Sequence, residues 1–274
     1  MKVSVVLPTY NRFRMVAGAI DSVLSQEYSK IELIVVDDGS TDDTQALLSS
    51  YGDRIRSIRQ ARRGVSAARN AGIRATTGEL IALLDSDDTW LPGKLTAQVD
   101  FFTRRPQALI CQTEEIWIRN GVRVNPGKRH RKKAGMIFEP SLALCLVSPS
   151  AVMMRRSLLN EVGLFDESLT ACEDYDLWLR IACRHPIHLI DTPLIVKHGG
   201  HADQLSRLPR LDKYRIRSIV RLLNSGCLSS DQRKASIAIL ATKCTIYAQG
   251  CRKRGRNKEA DHFEQLADAY DAAC

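Results

Sequence analysis

The residues of this sequence that could do chemistry are mainly acidic, and they follow two short apolar segments. They are Asp37 and Asp38 in one place and Asp85, Asp87 and Asp88 in the other. Like charges held close together raise one another's pKa, so such a cluster makes sense where cations or ligand hydroxyls compensate it. Carboxylate oxygens suit Mg²⁺ or Mn²⁺, and either ion can bridge two phosphates. The pattern predicts a metal and nucleotide site around Asp85 and Asp87; the alternative is that these aspartates cap a helix opened by Pro92.

A complementary positive charge lies in the glycine- and alanine-rich segment 64–72. Its small residues would let a ligand approach closely, and Arg69 could grip a phosphate or the edge of a base. The alternative is an alanine-rich helix packed tightly on a sheet.

Alternating apolar segments predict the elements that would position these residues. Residues 3–7 and 32–36 are nearly continuous apolar runs, typical of strands covered on both faces of a parallel sheet, and a helical pattern lies between them. The alternation continues with a helix over 42–51, a strand over 54–58, a helix over 64–75 and a strand over 80–84. Such βαβ units bind ligands beyond the carboxyl ends of their strands, where we expect the acidic residues to gather.

The second part of the chain has a different pattern. After a helix over 92–105, shorter strands follow, including a hairpin with its turn at Asn120 and Gly121. A helix is predicted to begin near Glu173. Beyond about Leu208 the pattern is helical only, with breaks at Gly226 and near Gly255.

Composition narrows the class of protein. The formal net charge of +9 favours an anionic partner such as a nucleotide, a nucleic acid or an anionic membrane surface. No stretch approaches the roughly 18 apolar residues of a spanning helix, and the start is too short for a signal peptide, so we expect a cytoplasmic protein. The eight cysteines contain no Cys-x-x-Cys pair, which predicts reduced, mostly buried thiols without a disulfide framework or a zinc site.

Four sequence blocks, in this order and spacing, resemble the family 2 glycosyltransferases of GT-A fold. They are residues 5–12, 35–42, 64–72 and 83–88, and segments 163–167 and 173–180 extend the resemblance to about residue 205. It implies a Rossmann-like α/β nucleotide-diphospho-sugar transferase with a mixed sheet flanked by helices. The implied domain covers residues 1–205, with a donor half at 1–105 and an acceptor half at 106–205, and a helical C-terminal appendage follows at 206–274.

The resemblance also implies roles for single residues on the donor side. Thr9, Tyr10 and Asp38 would hold the nucleoside, with Asp38 hydrogen-bonding the base. Arg69 would neighbour the nucleotide, Asp85 would reach the ribose or the metal shell, and Asp87 would ligate Mn²⁺ or Mg²⁺ directly. The remaining donor-side candidates are Pro8, Arg12 and Ser86.

Two histidines flank a glycine pair in His198-Gly199-Gly200-His201. In similar enzymes a histidine in this region completes the metal or diphosphate shell, and neutral imidazole is a competent ligand for Mn²⁺. We therefore take His198 as a candidate ligand, and the glycines suggest a loop that could close over the donor. The alternative is a histidine that is simply a satisfied polar residue.

Asp174 is the general base that the resemblance implies for an inverting transfer. An acceptor hydroxyl attacks the anomeric carbon while the diphosphate leaves, so one carboxylate must take a proton and a metal must neutralise the leaving group. Glu173 stands beside Asp174 at the predicted helix start, and either could be the base. We favour Asp174; the alternative is that one of the two only caps the helix.

The predicted partners are a nucleotide-sugar donor, above all a UDP-sugar, and a saccharide or lipid-linked acceptor in cell-surface polysaccharide or glycolipid synthesis. The basic run 128–133 lies where acceptor-binding segments are inserted in this fold. The C-terminal helices, with basic residues near 252–258, could contact the inner face of the membrane, cover the domain or form a homodimer.

Two other classes are weighed against this prediction. A nucleotidyltransferase would carry a glycine-rich phosphate loop after its first strand, where this chain has Pro8, Thr9 and Tyr10. A nucleic-acid-binding protein would explain the positive charge, but no binding module is recognisable and the acidic cluster would repel phosphates without a metal. We expect no nucleic-acid partner.

Overall fold

The computed structural model describes residues 1–125, 127–200, 204 and 209–272. Within these residues, nine strands form one sheet. The strands are β1 Val3–Thr9, β2 Ile31–Asp37, β3 Arg56–Arg59, β4 Leu80–Leu83, β5 Thr89–Trp90, β6 Ile110–Arg119, β7 Val122–Val124, β8 Val152–Arg155 and β9 His188–Gly199. The α-helices are α1 Phe13–Leu24, α2 Thr44–Ser50, α3 Val65–Ala75, α4 Lys94–Arg104, α5 Phe138–Ala143, α6 Arg156–Val162, α7 Glu173–Ala182, α8 Leu211–Asn224, α9 Ser230–Arg252 and α10 Asn257–Asp271.

The sheet is mixed, and its order is β3-β2-β1-β4-β8-β6-β9-β5, with β7 paired to β6. The first four strands of this order run parallel to one another. β8 is antiparallel to both β4 and β6, while β9 is parallel to β6 and β5 is antiparallel to β9. The predicted α/β class with a mixed sheet is confirmed, and the parallel strands are those of the predicted βαβ units.

Strand β1 is buried along its whole length because helices cover both faces of the sheet. Val5 and Leu7 belong to the apolar cluster shared with α1, whereas Val6 faces the opposite cluster together with Ile73 of α3. A Cβ atom built at Gly72 would collide with the side chain of Val6, so α3 packs directly on the strand at this glycine. The tight-packing interpretation of segment 64–72 therefore holds at Gly72.

The predicted elements of the second part are also present. The Asn120-Gly121 turn joins β6 to β7, and helix α7 begins at Glu173. The C-terminal helices break near Gly226 and Gly255, both of which have a positive φ. Their buried apolar residues share one cluster with α5 and α7, so these helices pack against the sheet-bearing part of the chain. The division between residues 205 and 206 stays a prediction and lies outside the described residues.

Of the cysteines in the described part of the chain, all seven are free thiols. Four of them are buried, namely Cys111, Cys183, Cys244 and Cys251. Among the described helices, none combines the length and apolar character needed to cross a membrane.

Candidate active site

One cleft, with a volume of about 1500 Å³, brings together the predicted site residues. It opens beyond the carboxyl ends of β1, β2 and β4, where the topology of a parallel sheet predicts a ligand site. Its lining includes Pro8, Thr9, Tyr10, Arg12, Asp38, Arg69, Asp85, Ser86, Asp87, Glu173, Asp174 and His198. The residues named from separate parts of the sequence therefore meet on one surface.

The end of β1 carries an unsatisfied polar group. Thr9 is 3% exposed, and its Oγ1 atom has no hydrogen-bond partner among the described residues. Buried polar groups are nearly always paired, so an orphan hydroxyl in a cleft indicates a place for a ligand group. The neighbouring Tyr10 ring lies 4.1 Å from the guanidinium carbon of Arg62.

Asp38 is held rigidly at the end of β2. Its carboxylate accepts hydrogen bonds from the Gln60 side chain at 2.7 Å and from the backbone N–H groups of Arg63 and Gly64 at 2.9 and 2.7 Å. These bonds tie the end of β2 to the start of α3 and fix the direction of the carboxylate. Contact with a base stays a prediction for Asp38.

Asp37 does not belong to the expected acidic cluster, since it is absent from the lining of the cleft. Its Oδ1 accepts the backbone N–H of Ser40 at 2.9 Å, and its Oδ2 lies 3.8 Å from Nε of Arg59. Asp37 instead stabilises the turn after β2. The prediction that all five carboxylates gather at the ligand site is therefore wrong for Asp37.

Asp88 is also a structural residue, and it brings His198 to the acidic turn. It is 2% exposed, and its carboxylate accepts hydrogen bonds from the Ser150 hydroxyl at 2.6 Å and from the backbone N–H of His198 at 3.0 Å. Burial raises the pKa of Asp88; the Lys197 charge opposes this shift, and the neighbouring Asp87 and Asp85 add to it. The capping alternative fails, because the N-cap of α4 is Gly93 and lacks a side-chain cap.

The three predicted metal ligands, Asp85, Asp87 and His198, all line the cleft. A carboxylate and an imidazole match Mn²⁺ in donor chemistry. Among the described residues, however, no group of three or more His, Cys, Asp or Glu side chains could hold an ion. The donor chemistry of these side chains suits a divalent ion, and metal binding at this place stays a prediction. His201 lies outside the described residues, whereas Gly199 is the last residue of β9 and Gly200 has a positive φ. Closure of this segment over the donor stays a prediction.

Arg69 forms a buried ion triad rather than an open phosphate grip. Its Nη1 is 2.7 Å from Oε1 of Glu173, and its Nη2 is 2.6 Å from Oδ1 of Asp85. Its guanidinium carbon also lies 5.1 Å from the ring centroid of Phe165. The two Nη atoms of Arg69 are thus paired with carboxylates, whereas its Nε has no hydrogen-bond partner among the described residues. Contact of Arg69 with the nucleotide stays a prediction.

Glu173 and Asp174 differ sharply in their surroundings. Glu173 is 4% exposed, and burial raises its pKa although Arg69 opposes the shift. Asp174 is half-buried; its Oδ1 accepts the N–H of Tyr175 at 2.7 Å, and its Oδ2 lies 3.6 Å from Sγ of Cys145. Neither residue is the N-cap of α7, which is Cys172 without a side-chain hydrogen bond, although Asp174 satisfies one free N–H group of the first turn. Asp174 is thus the carboxylate of the pair that a substrate can reach.

Asn70 connects the two halves of the site. Its side-chain amide donates to the carbonyl of Phe165 at 2.9 Å and to Glu167 at 3.0 Å, while its oxygen accepts the N–H of Phe165 at 3.0 Å. These bonds fix the segment before α7 to helix α3. The position of Asp174 relative to the acidic turn is set in this way.

The wall of the cleft opposite the parallel strands is basic and aromatic. Trp117 donates from Nε1 to Glu115 at 2.6 Å, and its ring centroid lies 5.6 Å from that of His130. Lys132, from the basic run, is 6% exposed and lies 2.9 Å from Glu115. Burial opposes the ionisation of Glu115, but the charges of Lys132 and Lys197 outweigh it and lower its pKa to about 2. Lys132 therefore serves an internal ion pair, while Arg129 and His130 of the same run line the cleft, and contact of the run 128–133 with an acceptor stays a prediction.

Sequence reasoning missed three cleft residues that carry charge or reactivity. Lys197 is half-buried on β9, and burial opposes its charge, but Glu115, Asp88 and Asp85 outweigh this and raise its pKa. Cys145 lies beside Asp174, and burial, reinforced by that carboxylate, raises its pKa. Trp117 lies on β6, the first strand of the predicted hairpin. Each stands on a segment without a chemical motif, so no pattern in the sequence could have marked it.

A mixed sheet whose acidic turn, buried ion triad and accessible carboxylate share one cleft is the arrangement of a nucleotide-sugar transferase of GT-A type. Residues 4–163 match the family described as Glycosyl transferase family 2. The chain belongs to this family, and the predicted family, GT-A fold and transferase activity are confirmed. The match also favours a glycosyltransferase over the nucleotidyltransferase and nucleic-acid-binding alternatives.

Relatives in bacteria agree with the family. An uncharacterized glycosyltransferase of Rickettsia prowazekii is 32% identical over 219 residues, covering 77% of this chain and 69% of that protein. A relative in Rickettsia conorii is 33% identical, but the match covers only 35% of its length. The Escherichia coli enzyme WfgD, a UDP-Glc:alpha-D-GlcNAc-diphosphoundecaprenol beta-1,3-glucosyltransferase, is 32% identical over 70% of this chain and 74% of its own length.

Solved structures share the fold. Residues 1–349 of TarS from S. aureus, in complex with UDP-GlcNAc, superpose with a TM-score of 0.73 over 97% of this chain and 91% of that one, at 17% identity. The mannosyltransferase PcManGT from Pyrobaculum calidifontis, in complex with GDP-Man and Mn²⁺, gives a TM-score of 0.63 over 98% and 75% of the two chains, at 19% identity.

Proposed function

We propose that this glycosyltransferase inverts the anomeric carbon while it moves a sugar from a UDP-sugar to a hydroxyl of a lipid-linked saccharide, in cell-surface polysaccharide or glycolipid synthesis. The observation that carries the proposal is the shared cleft, which is lined by the accessible carboxylate of Asp174 and by Asp85 and Asp87. The names of the E. coli relatives give UDP-Glc as donor and a diphosphoundecaprenol-linked sugar as acceptor, which supports both substrate classes. Action in the cytoplasm, at the inner face of the membrane, stays a prediction.

In the proposed reaction, Asp174 takes the proton of the acceptor hydroxyl as that oxygen attacks the anomeric carbon. Its carboxylate suits this role because its hydrogen bonds come from one backbone N–H and one weak thiol donor. Glu173 cannot serve equally well, since it is buried against Arg69. We assign Glu173 to positioning, because its ion pair fixes the first turn of α7.

The donor would lie along the ends of β1, β2 and β4. Thr9, Tyr10 and Asp38 would contact the nucleoside, and the orphan hydroxyl of Thr9 is the feature that supports this assignment. Asp87 and His198 would hold a Mn²⁺ or Mg²⁺ ion together with the diphosphate. When bound, the ion supplies positive charge that stabilises the leaving diphosphate.

The test is a panel of UDP-, GDP- and dTDP-sugars incubated with a lipid-diphosphate-linked sugar acceptor and Mn²⁺ or Mg²⁺. Release of nucleotide and formation of the glycosylated lipid are both measured. We expect turnover with a UDP-sugar, loss of metal-dependent UDP binding in Asp87→Ala, and unchanged binding in the exposed control Asp53→Ala. Absence of sugar transfer from every donor, or full metal-dependent binding in Asp87→Ala, would contradict the proposal.

A further inference from the structure

Lys197 is a cation inside the cleft whose charge acts on Glu115 and Asp88 but which has no assigned contact with a substrate. It stands on β9 opposite Trp117 in the pairing with β6, one residue before His198. Its side chain is half-buried and lines the cleft, and its ammonium nitrogen lies 5.9 Å from the Trp117 ring centroid. It therefore lies between the acidic turn after β4 and the wall formed by β6.

The ammonium group of Lys197 has hydrogen-bonding capacity to spare. Within the described chain, the Ser148 hydroxyl accepts a hydrogen bond from it at 3.3 Å. A lysine ammonium carries three donors, and this one bond is long. Two donors thus remain for a group that enters the cleft.

Three of the carboxylates around Lys197 already have other partners at close range, and the fourth is the proposed base Asp174. Glu115 lies 2.9 Å from Lys132, and Asp85 lies 2.6 Å from Arg69. The Asp88 carboxylate accepts hydrogen bonds from Ser150 and from the N–H of His198. Lys197 therefore contributes a charge to the cleft as a whole rather than to one internal ion pair. A fixed cation of this kind, aimed where negative charge develops, is a recurrent means of stabilising a leaving group.

We propose that Lys197 binds the β-phosphate of the donor, the phosphate that carries the sugar and departs with the nucleotide. The proposal rests on the proposed function, in that it requires a nucleoside diphosphate sugar as donor. In the transfer, the acceptor oxygen forms a bond to the anomeric carbon and its proton goes to Asp174. The bond from the anomeric carbon to the β-phosphate oxygen breaks, and its electron pair stays on that oxygen, where the Lys197 ammonium stabilises the charge.

The experiment compares the binding of UDP and UMP by calorimetry, because only UDP has a β-phosphate. Wild type, Lys197→Met, Lys197→Arg and the exposed control Lys234→Met are measured in EDTA and again with Mn²⁺. We expect Lys197→Met to bind UDP about 10- to 100-fold more weakly in both conditions, as for a lost hydrogen bond to a charged group, and to bind UMP as wild type does. Lys197→Arg should recover part of the UDP affinity, and Lys234→Met should behave as wild type.

An unchanged ratio of UDP to UMP affinity in folded Lys197→Met would overturn the proposal and leave the proposed function intact. If wild type binds no nucleoside diphosphate more tightly than the corresponding monophosphate, the proposed donor class is wrong, and this proposal is wrong with it.

A second measurement needs no variant. UDP, but not UMP, should protect Lys197 of the wild type from acetylation, as read by mass spectrometry, and equal modification with both nucleotides would contradict the assignment.

Discussion

Arg69 of α3 and Glu173, the first residue of α7, form a buried ion pair with Nη1 and Oε1 2.7 Å apart. The two residues are 104 positions apart in the chain, so the pair joins the predicted donor and acceptor halves. Because Asp174 follows Glu173 directly, this contact fixes where the proposed base stands. The pair thus serves the geometry of the site, and its contribution to stability depends on both partners being present.

Removal of Arg69 alone should therefore be costly. In Arg69→Met, Glu173 and Asp85 lose their cation, and we expect the free energy of unfolding to fall by about 3–5 kcal/mol. The double variant Arg69→Met with Glu173→Gln leaves no unpaired buried charge of this pair. Its unfolding free energy should therefore fall by less than the sum of the decreases in the two single variants. Urea denaturation of the three variants measures this coupling, and additive losses would show that the pair has no such role.

Thr9 offers a test in which stability and binding separate. Its buried Oγ1 has no partner among the described residues, so Thr9→Val should leave the stability of the unliganded protein unchanged or raise it slightly. Nucleotide affinity should fall by about 5- to 10-fold, the equivalent of one net hydrogen bond of about 1 kcal/mol. The control is Thr242→Val on an exposed part of α9. Unchanged UDP affinity in Thr9→Val would remove Thr9 from the nucleotide site.

The sequence was sufficient to predict the parallel part of the sheet, and the reason is physical. Buried strands such as β1 and β2 read as continuous apolar runs, and the residues that follow them must lie at one edge. The Asn120-Gly121 turn could be predicted as well, because such a turn requires residues that tolerate a positive φ. Both residues have a positive φ here.

The sequence could not predict which charged side chains of the site form ion pairs with one another. Nothing in the local sequence distinguishes Lys132, which is buried against Glu115, from the exposed Lys133 beside it. The pairing of Arg69 with Glu173 depends on how α3 and α7 pack, which is a long-range property. Lys197 was overlooked because its significance comes from carboxylates on other elements.

Lys94 predicts a pH dependence of stability that is independent of the active site. It is fully buried, its Nζ donates to Gln98 at 2.6 Å, and burial, with a smaller effect of the Lys132 charge, lowers its pKa to about 7. In the unfolded chain the group titrates near pH 10.5, so between about pH 7 and 10 the unfolded state binds the proton that the folded state has lost. Raising the pH in this window therefore favours the folded state.

The measurement is the difference in unfolding free energy between wild type and Lys94→Met at several pH values from 6 to 10. Above about pH 7, we expect the unfolding free energy of wild type, relative to that of the variant, to rise with pH by up to about 1.4 kcal/mol per pH unit. This slope is the limit for one proton. The exposed variant Lys30→Met should show a constant difference. A constant difference for Lys94→Met as well would mean that this lysine stays protonated in the folded protein.

The most direct test of the account is a comparison of Asp174→Asn with Glu173→Gln, in which UDP binding, thermal stability and sugar transfer are measured on the same samples. Asp174→Asn should bind UDP as wild type does and unfold at a similar temperature, while kcat falls by about 10²- to 10⁴-fold, since only the proton acceptor is lost. Glu173→Gln should lose stability and retain transfer in the folded fraction. Wild-type turnover in Asp174→Asn would contradict the account, as would selective loss of kcat in a stable Glu173→Gln.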